Sequence, residues 1–347
     1  MVAVSLLTLV PGELGGSETY ARELLRALRR TSELELRVLA PPVAPDAGEG
    51  LPTTVVSSYG VARTPRERLL AMTRGAVRRR DVGADAVHYP LTVALPRVTV
   101  PTVTTLHDVQ HLDLARLFSR GERAWRAVAW HRSVRAAARV IVLSGFVRDR
   151  AVARLALDPA AIRVVPSGVD HDRFRPGDAE REPFLLYPAR PWPHKNHELL
   201  FRAFAQVRRE RPELRLVLTG GGDFGRVPES VDVRGRVDKE ELARLYRTAS
   251  ALVFPSLYEG FGQPPLEAMA SGCPVACSDA GALPEVVGDA ARLFDPRDPD
   301  AVAAAVRDVL DAPGEWRERG LARAARFSWD ATARATEAVY REVADSR

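Results

Sequence analysis

Two carboxylates, two cations and a run of glycines stand at spacings that suit a ligand carrying both phosphates and hydroxyls. Glu259 and Glu267 bracket Gly260-Phe261-Gly262-Gln263-Pro264-Pro265, and the run Ala251–Phe254 before them is apolar and β-prone. Gly260 and Gly262 let the chain turn sharply and approach a ligand closely. Pro264 and Pro265 suit the first turn of a helix, where a missing N–H costs nothing. Strand, glycine turn and helix start then aim free amides and a positive dipole end at whatever lies beyond the strand. Arg190 and Lys195 flank a second loop, after the apolar run Phe184–Tyr187. In a parallel sheet both loops fall at the carboxyl edge, where two cations and a helix N-terminus can neutralise a diphosphate without a metal. An Arg and a Lys five apart are commonly surface residues. Lys195 carries more weight here, because 48 of the 50 basic residues are Arg and the two lysines are Lys195 and Lys239.

Glu267 can accept two hydrogen bonds from a vicinal diol such as that of ribose, although a Glu at that place also suits the helix dipole on its own account. Glu259 sits in the turn, has no such structural reason, and reads as a ligand contact. Gly235-Arg236-Val237 ends another strand and offers backbone groups to a base edge. In the first half, Gly15-Gly16 precedes a helix and can bring amides against a phosphate, a weak sign by itself. His107 ends the strand 102–106 and would point into the cleft from the opposite domain. His107 and His111, with Asp108 and Asp113 nearby, raise a metal site, but the stretch Leu106–Leu114 has no helical apolar period and no further cluster completes a ligand set. No metal is therefore expected. The chain has no Gly-x-Ser-x-Gly elbow, no Walker loop and no GxGxxG after its first strand, which argues against a nicotinamide dehydrogenase.

The elements that must position these residues alternate along the chain. Val2–Leu9 reads as a strand, followed by a Pro-Gly and Gly-Gly loop and a helix over Tyr20–Leu28. Strands at 36–39, 53–56, 86–89, 102–106 and 140–143 follow, with a basic helix at Arg66–Arg80, another at Glu122–Ala137, and Ser144 capping a third. The charged segment Arg173–Pro183 reads as a linker. A second series then runs through strand 184–187, helix 195–209, strand 214–219, strand 231–235, helix 239–248, the turn described above, strand 274–277, helix 298–311 and two Ala/Arg-rich helices. The expected fold is α/β, with two Rossmann-like doubly wound parallel-sheet domains facing each other across a cleft. The expected domains are 1–175, 176–328 and a terminal helix over 329–347.

At 347 residues the chain suits two cores. Residues 1–175 hold 26 Arg against 17 acidic residues (+9), and the rest holds 24 basic against 28 acidic (−4), giving the net +5. The basic half, especially Arg74–Arg80 and Arg116–Arg135, would suit an anionic membrane surface, although an Arg-biased solvated face explains it equally well. Cys273 and Cys277 lie on one strand segment about 13 Å apart, too far for a disulfide, so a cytoplasmic location is expected. Val2–Val10 is too short to span a membrane and reads as a strand rather than a signal peptide.

With these residues in place, the chain resembles the retaining glycosyltransferases of family 4, which have the GT-B fold, and the likeness runs nearly end to end. The family's paired-glutamate signature stands as Glu259 and Glu267 in YEGFGQPPLEAMASGCPV, and its basic pair as Arg190 and Lys195-Asn196 in ARPWPHKN. Also matching are GGSETY (15–20), LHD (106–108), the helix start at Ser144, PSGVD (166–170), GRVDKEEL (235–242) and GALPEVVGDAA (281–291). Ala189 stands where the family often has Gly, and Ser167 where Asn is common.

The resemblance implies a nucleotide-diphosphate sugar donor, GDP-mannose-like by the wording of these motifs, and a glycan or lipid-linked acceptor, with no nucleic acid and no cofactor. It implies that Arg190 and Lys195 hold the diphosphate, Glu267 the ribose and Glu259 the transferred sugar, assisted by the amides of Gly260, Phe261 and Gly262. It implies further that His107 contacts the sugar, that Gly15 and Gly16 close over the phosphates, and that the last helix crosses back to the first domain. Other enzyme readings are a GT-B phosphorylase or a sugar-nucleotide epimerase, the first needing a cofactor lysine that Lys195 and Lys239 poorly supply. A non-catalytic sugar-nucleotide-binding protein and a metal-dependent hydrolase using His107 and His111 complete the alternatives.

Overall fold

A computed structural model of the protein describes residues 1–57 and 80–345. The basic helix expected over Arg66–Arg80 lies outside the described residues except for Arg80. The described chain divides into two compact units, Met1–Gly168 with Trp329–Arg347, and Val169–Ser328.

The central runs of the first unit, Val2–Ser5, Ala86–Tyr89 and Thr102–Leu106, become strands because both of their faces are covered, the condition under which parallel sheets occur. Its strands are β1 (Val2–Ser5), β2 (Leu36–Ala40), β3 (Thr53–Val55), β4 (Ala86–Tyr89), β5 (Thr102–Leu106), β6 (Arg139–Val142) and β7 (Ile162–Val164). Their order among the described residues is β3-β2-β1-β4-β5-β6-β7, all parallel, with Val2 opposite Leu36 on one side and Ala86 on the other. Strand order reverses at β1 and β4, which makes their carboxyl ends the place for a ligand. β1 is shorter than the apolar run that encodes it. Ser5 Oγ donates to the Leu95 carbonyl, Leu6 N–H makes a last bond to Leu39 O at 2.9 Å, and Leu6 to Leu9 then form a turn closed by Leu9 N–H to Leu6 O at 2.8 Å, so Leu7 and Leu9 are buried outside the strand.

Helix α1 (Gly16–Thr31) starts four residues earlier than its apolar spacing indicates and buries Leu24, Leu25 and Leu28. Full burial of such side chains contributes about 1.5–3 kcal/mol each. The helix expected over 122–137 is α2 (Arg120–Arg126), a wide π turn over Ala127–His131 and α3 (Arg132–Ala136). Ser144 caps α4 (Gly145–Leu155) by accepting from Val147 N–H at 3.2 Å.

The second unit contains β8 (Glu182–Pro188), α5 (His197–Glu210), β9 (Arg215–Thr219), β10 (Val231–Val233), α6 (Lys239–Thr248), β11 (Ala249–Phe254) and α7 (Gln263–Ala270). It continues with β12 (Val275–Ser278), α8 (Leu283–Val287), β13 (Arg292–Phe294), α9 (Pro299–Asp311) and α10 (Pro313–Ala324). The parallel order β10-β9-β8-β11-β12-β13 again reverses at its centre, between β8 and β11. Residues 169–175, placed by their sequence in the first domain, pack with the second unit. Phe174 is buried with its ring 5.9 Å from that of Tyr246, and Arg173 bonds Asp170 and Glu240.

Helix α11 (Trp329–Ala344) returns to the first unit and lies along α1. Trp329 stands 6.0 Å from the Tyr20 ring, and the Tyr340 hydroxyl bonds His88 Nδ1 at 2.7 Å. His88 is fully buried with Nε2 2.8 Å from Thr105 Oγ1, and burial pushes its pKa down to about 3.

Candidate functional site

The loops that follow β8 and β11 meet at the reversal point of the second sheet. After Pro188 the chain makes a tight turn, Trp192 N–H to Arg190 O at 2.7 Å, which brings the Arg190 guanidinium 5.5 Å from the centre of the Trp192 ring. Pro193–Lys195 forms a single 3-10 turn, and α5 begins only at His197. Lys195 therefore stands before the helix, not in it as its sequence context indicates. The reason is Asn196, whose φ of 62° interrupts helical geometry between the two.

Lys195 and Glu259, 64 residues apart, meet here: Nζ donates to Oε1 at 2.5 Å. The ammonium also lies 5.3 Å from the centre of the Phe254 ring. Several bonds tie the two loops together behind this pair. The Tyr187 hydroxyl donates to Lys195 O at 2.6 Å, and Leu257 N–H donates to His194 O at 2.8 Å. Tyr187 is fully buried against Phe254, and that burial raises its pKa well above the ordinary phenol value. A third segment braces the glutamate: Ala282 N–H donates to Glu259 O at 2.9 Å. Gly281 makes this possible. Its φ is +67°, and a Cβ there would stand 2.6 Å from Glu259 O and 2.7 Å from Glu259 N, far inside contact distance.

The turn Gly260–Gly262 ends in the N-cap of α7, with Gly262 at a φ of 133°. Phe261 packs inward, 6.1 Å from the Phe327 ring, so its ring anchors the turn and only its backbone remains for a ligand. Glu267, on the second turn of α7, is buried and accepts from the Tyr246 hydroxyl at 3.4 Å. Gly235, Arg236 and Val237 follow β10, which ends at Val233 instead of Gly235. Gly235 O accepts from Gly220 N–H at 2.7 Å, Arg236 is exposed and Val237 half-buried. Sequence reasoning assigned no role to Tyr187 or Gly281, although Gly281 opens one of the matching motifs.

In the first unit, Gly15 caps α1 and Gly16 begins it. Glu18 in the first turn accepts from Gly12 N–H at 2.7 Å, which draws the loop over the helix start. Tyr20 of α1 meets His107 edge to face at 5.1 Å, so these two groups gather at the carboxyl edge of that sheet. His107 Nε2 lies 2.8 Å from the Pro90 carbonyl, a contact that only an Nε2–H tautomer can make. Burial lowers its pKa below the ordinary value. His111 turns away from it and meets His131, Nε2 to Nε2 at 2.9 Å. The two imidazoles of the hydrolase alternative thus take separate partners. Among the described residues no group of three or more His, Cys, Asp and Glu side chains could hold a metal ion.

The chain matches two family patterns, glycosyl transferases group 1 over residues 169–326 and Glycosyltransferase Family 4 over residues 14–173. It is similar to O-antigen chain mannosyltransferase B of Escherichia coli, 31% identical over 290 residues that cover 76% of each chain. It is also 31% identical to D-inositol 3-phosphate glycosyltransferase 2 of Catenulispora acidiphila, across 97% of this chain and 92% of that one. This chain belongs to glycosyltransferase family 4. The family 4 enzyme shares its fold with the sucrose-phosphate synthase of Thermosynechococcus elongatus, with a TM-score of 0.76 and 23% identity over 100% of this chain and 99% of that one. It is thus a hexosyltransferase of GT-B fold. Of the residues noted from sequence, the second unit of this family 4 glycosyltransferase brings Lys195 and Glu259 into contact, with Arg190 in the loop that carries Lys195 and Glu267 on the helix that follows Glu259.

Proposed function

We propose that the enzyme transfers a hexosyl unit from a nucleotide-diphosphate sugar, GDP-mannose-like, to a glycan or lipid-linked acceptor with retention at the anomeric carbon and without a metal. The contact between Lys195 and Glu259 carries this reading, because it joins a cation suited to phosphate to a carboxylate suited to sugar hydroxyls. Arg190, Lys195 and the N-terminus of α7 supply positive charge at the reversal point of the sheet, where nucleotides bind in doubly wound folds. Glu267 takes the ribose hydroxyls, Glu259 the transferred sugar, and the loop Gly235–Val237 the base. The family resemblance supports a polar contact from His107 and backbone amides from Gly15 and Gly16. A neutral His107 holding Nε2–H on Pro90 O has Nδ1 left as an acceptor for a hydroxyl.

In the proposed step the acceptor oxygen bonds to C1 on the face from which phosphate departs. The C1–O bond to the β-phosphate breaks with its electron pair going to that oxygen. The acceptor proton moves to the same oxygen, giving glycoside and nucleoside diphosphate. Arg190 and Lys195 stabilise the charge that develops on the leaving group, which is where preorganised cations contribute most.

The acceptor side is proposed to meet an anionic membrane at the cytoplasmic face. Arg120, Arg123, Arg132 and Arg135 are exposed around the π turn, and Val128 among them is 66% exposed. No helix among the described residues is long and apolar enough to cross a membrane. A thermal-shift panel of UDP-, GDP-, TDP- and ADP-sugars, repeated with a chelator, tests the donor. A specific stabilisation that persists with chelator and is lost in Lys195→Ala is the expected result. No shift with any nucleotide sugar overturns the reading.

A further inference from the structure

Asn196 stands at the N-cap of α5, where an Asn ordinarily accepts a hydrogen bond from the first helical amides. It does not do so here: no side-chain cap bond is made, and the residue sits in the left-handed region at φ 62°, ψ 39°. Its side-chain amide is used elsewhere. Nδ2 donates to Pro296 O at 2.6 Å and to Pro255 O at 3.2 Å. Pro255 directly follows β11 and stands four residues before Glu259, while Pro296 lies in the loop after β13.

Lys195 is consequently held on both sides. Its carbonyl accepts from the buried Tyr187 hydroxyl, and the next residue is bolted to the start of the turn that carries Glu259. The short contact between Lys195 Nζ and Glu259 Oε1 is the outcome of that double fixation. We infer that Asn196 is a positioning residue: a strut between strand ends that sets the Lys195 ammonium against Glu259. Its role in transfer rests on the proposed function; its role in placing Lys195 does not.

The chain itself supplies a test that needs no donor. Lys195 and Lys239 are its two lysines, so competitive acetylation by a limiting amine-reactive ester, followed by digestion and mass spectrometry, reads Lys195 with Lys239 as internal reference. Asn196→Gly keeps the left-handed backbone and removes the strut. Loss of two neutral hydrogen bonds corresponds to roughly a tenfold rise in the Lys195/Lys239 labelling ratio, with the melting temperature lowered by only a few degrees and the protein folded at the labelling temperature. Asn196→Asp keeps the shape but sets carboxylate oxygens against two carbonyls, and its ratio rises at least as far.

An unchanged ratio in both variants overturns the inference. So does a ratio that rises only in step with a loss of folded protein, since that marks a structural role alone. A raised ratio together with no thermal shift for any nucleotide sugar keeps the strut and removes the donor reading instead.

Discussion

Glu259→Gln is expected to bind free UDP or GDP more tightly than the natural enzyme while losing turnover. Glu259 accepts from Lys195 at 2.5 Å, and the two side chains are only 15% and 13% exposed, so solvent screening does not erase the interaction. A diphosphate must compete with this carboxylate for the ammonium and must also tolerate its negative charge nearby. A hydrogen bond to a charged group contributes about 1.5–3 kcal/mol net, and 1.4 kcal/mol is a factor of ten in affinity. Because Lys195 can share its three protons between both partners, about the lower end of that range should be recovered, a gain of roughly tenfold. The neutral amide keeps the shape but accepts sugar hydroxyls less strongly, so hexosyl transfer falls. Titration calorimetry with UDP and GDP on the natural enzyme, Glu259→Gln, Lys195→Met and the double variant measures both the gain and its origin. In the Lys195→Met background the gain should shrink, giving a coupling energy of about 1 kcal/mol or more. Equal or weaker binding of the preferred nucleotide by Glu259→Gln would refute the reasoning.

Two further outcomes are expected. Vesicles containing anionic lipid should carry the protein down on sedimentation at low salt and release it at high salt, at about 1 kcal/mol per basic residue near the surface; reversing Arg120, Arg123 and Arg132 to Glu should abolish this, and no binding to such vesicles sinks the membrane proposal. Acid should destabilise the first unit through His88, whose folded pKa of about 3 lies below its ordinary 6.5. The unfolded chain then binds a proton that the fold does not, so the contribution is complete above pH 6.5 and is lost as pH falls towards 3, at up to about 1.4 kcal/mol per pH unit. Melting curves between pH 7.5 and 4 should slope less in His88→Gln, and equal slopes would count against this account.

Much of the architecture was legible because strands such as β1, β8 and β11 hold apolar runs and the glycine loops punctuate them. β11 and the turn after it read almost residue by residue from Ala251 to Glu267. Other elements carry too few residues to show a period: β7 and β13 hold three residues each and are paired only because neighbouring strands present open edges to them. Leu7 and Leu9 look like strand since burial, which they share with β1, is what composition reports, while the end of pairing is decided by Leu95 and the turn at Leu6–Leu9. The site divides in the same way. Residue types and spacing identified Arg190, Lys195, Glu259 and Glu267 as candidates, but no local pattern announces a contact between positions 195 and 259. Nor does Asn196 reveal its positive φ, or Gly281 the backbone it admits, because both depend on segments distant in the chain.

The return of α11 to the first unit bears on how the protein is made. Val169 and Ser328, the two ends of the second unit, pair side by side in a parallel bridge, so that unit is complete in sequence once Ser328 has been added. The first unit is still incomplete at that moment. His88 waits for the Tyr340 hydroxyl, and the flank of α1 waits for Trp329. Domains generally fold as units during synthesis, N-terminal first, but here the unit begun first is finished last, and its buried histidine gains its Tyr340 partner only after the whole of the second unit has been synthesised.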